Sequence, residues 1–153
     1  MNIVTVSGTA RPSSNTKKAV EIVNDYLAKQ GLNFETIDLA ETILYHPGID
    51  RGDSDQLKLQ EIIRSADAII MATPEYHGSF ASGVIGAIKS LEHLRSVLSH
   101  VGANVLPEVV SIAQVHKVFT SEGELTNDKT KTRLEGLVDK LAQLTSKEIQ
   151  VAK

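Results

Sequence analysis

The chain has no cysteine among its 153 residues, which excludes disulfides, thiolate metal sites and thiol redox chemistry. Any electron transfer must therefore use a borrowed cofactor. It also lacks a charge excess: 16 Lys plus Arg stand against 19 Asp plus Glu, for a formal charge of -3. That balance gives no electrostatic case for a nucleic-acid or anionic-membrane partner, and neither is expected. No apolar run approaches the ~20 residues that span a bilayer. The opening MNIVTVSGT carries no basic leader and no small-residue cleavage site, so a cytoplasmic location is the expectation. Internal repeats and low-complexity tracts are missing as well, and the length fits one core, a single domain over residues 1–153.

What is present alternates between two periods. Ile3 to Val6 is a β-branched run of the kind buried inside a parallel sheet, ending on Ser7-Gly8-Thr9. Ala19, Ile22, Val23, Tyr26 and Leu27 recur at helical spacing, with Gly31 where that helix should stop. Phe34 to Leu39 alternates as a second strand, and a polar stretch with Pro47, Gly48 and Gly52 follows. Leu57, Leu59, Ile62 and Ile63 make a helical stripe ahead of a buried third strand, AIIMA, from Ala68 to Ala72. A helix is predicted from about Ile85 to Val101, with Ile88, Leu91, Leu94, Leu98 and Val101 on one face. A strand from Asn104 to Ile112 and a last helix carrying Leu134, Leu137, Val138, Leu141 and Leu144 complete the chain. Such alternation predicts an α/β fold, an open parallel sheet with helices on both faces in three layers. Right-handed crossovers then put every strand-to-helix loop at the carboxyl edge, where ligands of open sheets bind.

Two of those loops carry chemistry. Ser7 to Thr16 runs from a buried strand into a helix, aiming backbone N–H groups and the positive end of the helix dipole at one spot. Thr9, Ser13, Asn15 and Thr16 add short donors, and Arg11 adds a fork suited to phosphate oxygens. The loop lacks the terminal Gly-Lys-Ser/Thr of nucleotide hydrolases and the three-glycine dinucleotide fingerprint. A plainer reading stays open, in which Ser13 to Thr16 caps the helix and Arg11 is a solvated charge. After the third strand, Thr73 to Ser79 brings Pro74, Tyr76 and Gly78 to the sheet opening, where a flat ring could rest against backbone amides. Here too turn punctuation is the alternative. His77 has no second His or carboxylate at metal-ligand spacing, so no metal site is predicted.

Together, SGTARPSSNT and PEYHGS resemble the phosphate loop and flavin-ring loop of the NADPH-dependent FMN reductase family, flavodoxin-like azobenzene, quinone and chromate reductases. The similarity runs over nearly the whole chain, including HLRSVLSHVGANVLP. The resemblance implies FMN as cofactor and NADPH or NADH as electron donor. Gly8, Thr9, Arg11, Ser13, Asn15 and Thr16 would hold the phosphate. Pro74, Glu75, Tyr76, His77, Gly78 and Ser79 would flank the ring, and Ala81, Ser82 and Gly83 would form a second ring-contacting loop. The flavin would carry the chemistry, so no catalytic acid or base is named; Tyr76 and His77 would shape the acceptor site by stacking. The acceptor would be a small molecule such as a flavin, quinone, azo compound or metal oxyanion, and the assembly a homodimer or homotetramer. An FMN-binding electron carrier with little NAD(P)H turnover is the alternative, and an unliganded α/β scaffold a third.

One departure stands out. The family follows its PEY loop with a helix and a strand before the small-residue loop, whereas here Phe80 runs straight into Ala81. One strand and one helix, roughly 25 residues, are missing. Loss of the fourth strand from an order 2-1-3-4-5 would unpair both neighbours. Either the sequence joins residues across an omitted segment, which is favoured because a deletion would expose core, or the last strand pairs directly with the third.

Overall fold

A computed structural model describes residues 1–39, 41, 54–74, 88–120 and 122–151. The elements are β1 (Asn2–Ser7), α1 (Asn15–Lys29), β2 (Asn33–Asp38), α2 (Ser54–Ser65), β3 (Ala68–Ala72), α3 (Ile88–His100), a 3-10 turn (Val115–Lys117) and α4 (Asp128–Val151). The three strands form a parallel sheet in the order β2-β1-β3. Its α/β, flavodoxin-like character agrees with the sequence reading.

The central strand is covered on both faces, which is why Ile3 to Ser7 are buried without alternation. Ile3 points to the side packed by α1 and α4, where it joins Val23, Leu27, Leu134 and Val138, with Ala68 and Ile70 of β3 against the cluster. Val4 and Val6 point the other way and meet Ile37 of β2 together with Leu59 and Ile62 of α2. The 3.6-residue stripe of α1 thus matches one face of the period-2 pattern of β1. The helix stops where expected: Gly31 takes φ +68°, a left-handed conformation that costs glycine little, and Leu32 N–H donates to the Leu27 carbonyl at 3.0 Å.

A polar ring sits on the α1 side of the sheet, buried at Thr5 and open to solvent at Thr36. Thr5 is fully buried, and its hydroxyl donates to Asn24 Oδ1 at 2.9 Å, while Asn24 Nδ2 donates to Thr36 Oγ1 at 2.9 Å. Because the Thr5 proton is already spent, Thr36 donates to Thr5 Oγ1, also at 2.9 Å, and closes the ring. Each hydroxyl donates once and accepts once, so the buried Thr5 hydroxyl stays satisfied and the pairing of Thr5 with Thr36 is fixed in register.

Further out, the Tyr26 hydroxyl donates to both carboxylate oxygens of Asp139 at 3.0 and 3.2 Å, tying α1 to α4. This hydrogen bond, then desolvation, then the charges of Asp139 and Glu135 raise the phenol above its ordinary value of 10.0. The folded value exceeds the unfolded one, so the stabilising link is intact below the unfolded value and is lost as pH climbs through the folded value. Asp139→Asn should bring the Tyr26 titration back down. Phenolate absorbance against pH, in a background with Tyr45 and Tyr76 changed to Phe, reads this directly, and an unmoved curve would contradict the contact.

The strand expected from Asn104 to Ile112 is not formed: these residues are described, and they hold no ladder. Pro107 has no N–H to give a sheet, and its carbonyl is taken by Arg95 Nη1 at 2.6 Å. The Asn104 side chain donates to Glu148 Oε1 at 3.0 Å, which holds the segment's start on α4. Direct pairing of a last strand with β3 is therefore absent, while the Phe80–Ala81 junction lies outside the described residues. The expected α3 stripe also ends early, because Val101 is 72% exposed.

Candidate functional site at the carboxyl edge

The loop between β1 and α1 is fastened to the end of β3. Gly8 N–H donates to the Ala72 carbonyl at 2.8 Å, and a Cβ on Gly8 would lie 2.7 Å from that oxygen. Only a residue without a side chain lets the two backbones come this close. The Ser7-Gly8-Thr9 turn and the Ala72-Thr73-Pro74 turn consequently start side by side.

Within the first loop the roles divide. Thr9 is 3% exposed, and its Oγ1 accepts from Arg11 N–H at 3.2 Å, which folds the loop back on itself. Within the capping stretch Ser13 to Thr16, Ser14 is the residue that caps α1: its Oγ accepts from Lys17 N–H at 3.1 Å. The capping alternative therefore holds for Ser14, while Arg11 and Ser13 stay exposed and Asn15 and Thr16 half-buried. Helix geometry leaves the Asn15 and Thr16 amides without intrahelical acceptors, and no acidic residue stands in the first turn. Lys17 is not a free cation, since it pairs with Asp38 at the end of β2. Arg11 is thus the loop's basic side chain with no described partner.

Arg11, Asn15, Thr16, Thr73 and Pro74 line one cavity of about 690 Å³. The two loops singled out in the sequence are brought together to this extent. Glu75, Tyr76, His77, Gly78, Ser79, Ala81, Ser82 and Gly83 lie outside the described residues. Ser7 Oγ is 2% exposed and has no hydrogen-bond partner among the described residues, one position before Gly8. A buried orphan hydroxyl where the loop begins and open helix-head amides where it ends fit a group bringing acceptor oxygens, such as a phosphate. Sequence reasoning did not single out Ser7, and it held Ser14 only within the capping stretch Ser13 to Thr16. A hydroxyl closing a buried strand is the available sign for Ser7, whereas nothing in one dimension separates Ser14 from Ser13.

Below this edge the cavity descends between β3, α3 and α4, lined by Ile70, Leu94, Leu98, Leu137 and Leu141. No helix among the described residues is long and apolar enough to cross a membrane.

Comparison with known proteins gives a consistent picture. The family description "NADPH-dependent FMN reductase" matches residues 1–88. Over 157 aligned positions the chain is 27% identical to an NADPH azoreductase of Bacillus sp. (strain OY1-2), covering 84% of each protein. It is 30% identical over 96 positions to the FMN-dependent NADPH-azoreductase of Staphylococcus aureus strains USA300 and NCTC 8325 / PS 47, covering 58% of this chain and 50% of theirs. The chain thus spans about half the length of the staphylococcal relatives it matches. In the Bacillus alignment, 84% of 153 residues is about 129, so about 28 of the 157 positions face no residue of this chain.

Proposed function

This chain belongs to the NADPH-dependent FMN reductase family, and from that premise we propose that it is an FMN-dependent oxidoreductase passing electrons from NAD(P)H to a small acceptor. The observation that carries the reading is the shared cavity: helix-head residues Arg11, Asn15 and Thr16 and the β3-end residues Thr73 and Pro74 face one space. Held there, FMN would supply two-electron redox chemistry between a nicotinamide and the acceptor.

The protein's own contribution is to bind, orient and screen. Gly8 lets the two loops touch, so an anion and a ring belonging to one molecule can be held at once. Arg11, Ser13, Asn15 and Thr16, together with Gly8 and Thr9, hold the phosphate by charge-assisted hydrogen bonds. Pro74 opens the ring loop, to which Glu75 to Ser79 and Ala81 to Gly83 are assigned. No side chain is required as a catalytic acid or base, which agrees with a binding loop made of hydroxyls, an amide and one guanidinium. We assign the chain as one flavodoxin-like domain over residues 1–153, acting in the cytoplasm as a homo-oligomer, with flavins, quinones, azo compounds and metal oxyanions as the acceptor classes.

The test is spectroscopic. Full-length chain mixed with FMN should retain flavin through gel filtration, lose the oxidised flavin band on anaerobic addition of NADPH, and regain it when a quinone is added. Retained flavin that NADPH leaves oxidised would point to an electron carrier instead, and no retained flavin would remove the proposal altogether.

A further inference from the structure

Two periods coincide at the head of α1. Thr36 and Asp38 stand two apart on β2 and share its α1 face, while Lys17 and Asn24 stand seven apart, two turns along one stripe of α1. Asn24 donates to Thr36 at 2.9 Å, and Lys17 pairs with Asp38 one step further along the same face. The ladder then carries Asp38 to the edge where the phosphate loop begins: its partner across the sheet is Ser7, and Leu39 N–H donates to the Ser7 carbonyl at 3.3 Å.

The pair is not needed to fasten α1. The Thr5–Asn24–Thr36 ring and the packing of Val23 and Leu27 with Ile3 already hold that helix on the sheet. Its charges matter in another way. Lys17 follows directly on the open Asn15 and Thr16 amides, its own N–H spent on Ser14 Oγ at 3.1 Å. Its side chain therefore starts beside the seat, yet it runs to β2, where Asp38 offsets its charge. The two side chains are 19% and 21% exposed, too open for either charge to be confined to its partner, and charges act on one another over ~8 Å at physiological salt. With the pair intact the seat is left to the Arg11 guanidinium. With the carboxylate gone, Lys17 would add a second cation one residue from the open amides.

On the FMN reading set out above, we infer that Asp38 is a positioning residue of the phosphate seat: it holds Lys17 against β2, and so sets how strongly the chain prefers FMN to the same flavin without its phosphate. Asp38 tempers that preference, because the phosphate then meets the helix-head amides and one guanidinium instead of two cations.

FMN and riboflavin are titrated, by flavin fluorescence, with the full chain and with its Asp38→Asn, Lys17→Gln and doubly substituted variants. Asp38→Asn frees Lys17 and should tighten FMN binding about fivefold, the scale of one partly exposed charge. Lys17→Gln leaves the carboxylate without its cation and should weaken FMN by about as much. The double variant carries neither charge and should return to within about twofold of the parent. Riboflavin, with the same ring and no phosphate, should bind all four alike, and the FMN differences should shrink at high ionic strength. A pair that only fastens α1 would behave otherwise: each substitution would weaken FMN, riboflavin would follow, and the double variant would not recover. That pattern, or FMN affinity unmoved by Asp38→Asn, would overturn the proposal. Inorganic phosphate, followed by the amide NMR shifts of Asn15 and Thr16, separates this result from the flavin assignment. A chain that takes up no FMN but ranks the four proteins in the same order for phosphate removes that assignment and keeps the role of Asp38, and a chain that binds neither overturns both.

Discussion

Gly8→Val should lower the unfolding free energy by about 2–4 kcal/mol, a sum of overpacking and one lost backbone hydrogen bond. A Cβ at this position would sit 2.7 Å from the Ala72 carbonyl oxygen, a backbone atom that cannot swing aside as a side-chain tip can. Relief requires the β1 and β3 ends to part, which breaks the 2.8 Å bond from Gly8 N–H to that oxygen. The cause is steric, since Gly8 is not among the glycines of positive φ, and Gly8→Ala should therefore already show much of the loss. Urea unfolding followed by circular dichroism measures it, with an unchanged m-value expected because the exposed surface is the same. The same substitution separates the phosphate loop from the ring loop, so flavin retention should fall below detection even at temperatures where the chain stays folded. A variant within about 0.5 kcal/mol of the parent that keeps its flavin would contradict the close approach on which the site is built.

Much of this arrangement is legible in the residues because local and long-range signals agree. AIIMA reads as a strand, and β3 spans those five residues, but the burial expected of it is not met, because Ile69 and Met71 are 39% and 38% exposed. Gly31 marks the end of α1 for the same reason that it adopts φ +68°. The head of α1 was readable because a buried strand followed by short hydroxyl residues has few other uses. By contrast, Asn104 to Ile112 has the composition of a strand but forms none. Strand propensity is a statement about packing against a neighbour, and here the neighbour of β3 is a cavity, while Arg95 and Glu148 capture Pro107 and Asn104. The identity of the capping residue was equally hidden, since Ser13 and Ser14 are interchangeable in one dimension and differ only in which one the turn buries. Nor could periodicity reveal the Thr5–Asn24–Thr36 ring, whose members are brought together by strand register.

Arg11→Ala should weaken FMN binding about 10- to 150-fold, the range that follows from the ~1.5–3 kcal/mol of a hydrogen bond to a charged group. Arg11 is exposed and has no described side-chain partner, so the unfolding midpoint should not move and the loss belongs to binding alone. Of the other nearby cations, Lys17 is committed to Asp38, and Lys18 donates to the Thr120 carbonyl at 3.4 Å and lies 5.8 Å from the centroid of the Phe119 ring. Neither can substitute without giving up a contact that positions α1. Arg11→Lys should recover only part of the affinity, because an ammonium restores charge but not the planar fork that grips two phosphate oxygens. Raising ionic strength should narrow the difference between parent and Arg11→Ala, as expected for an exposed cation facing an anion. Turnover at saturating FMN should stay close to the parent value, since the guanidinium is assigned to the phosphate and not to the ring. Fluorescence titration of FMN across the three proteins and two salt concentrations decides the matter. If all three bind within about twofold, a difference below ~0.5 kcal/mol, the helix-head amides alone would hold the phosphate.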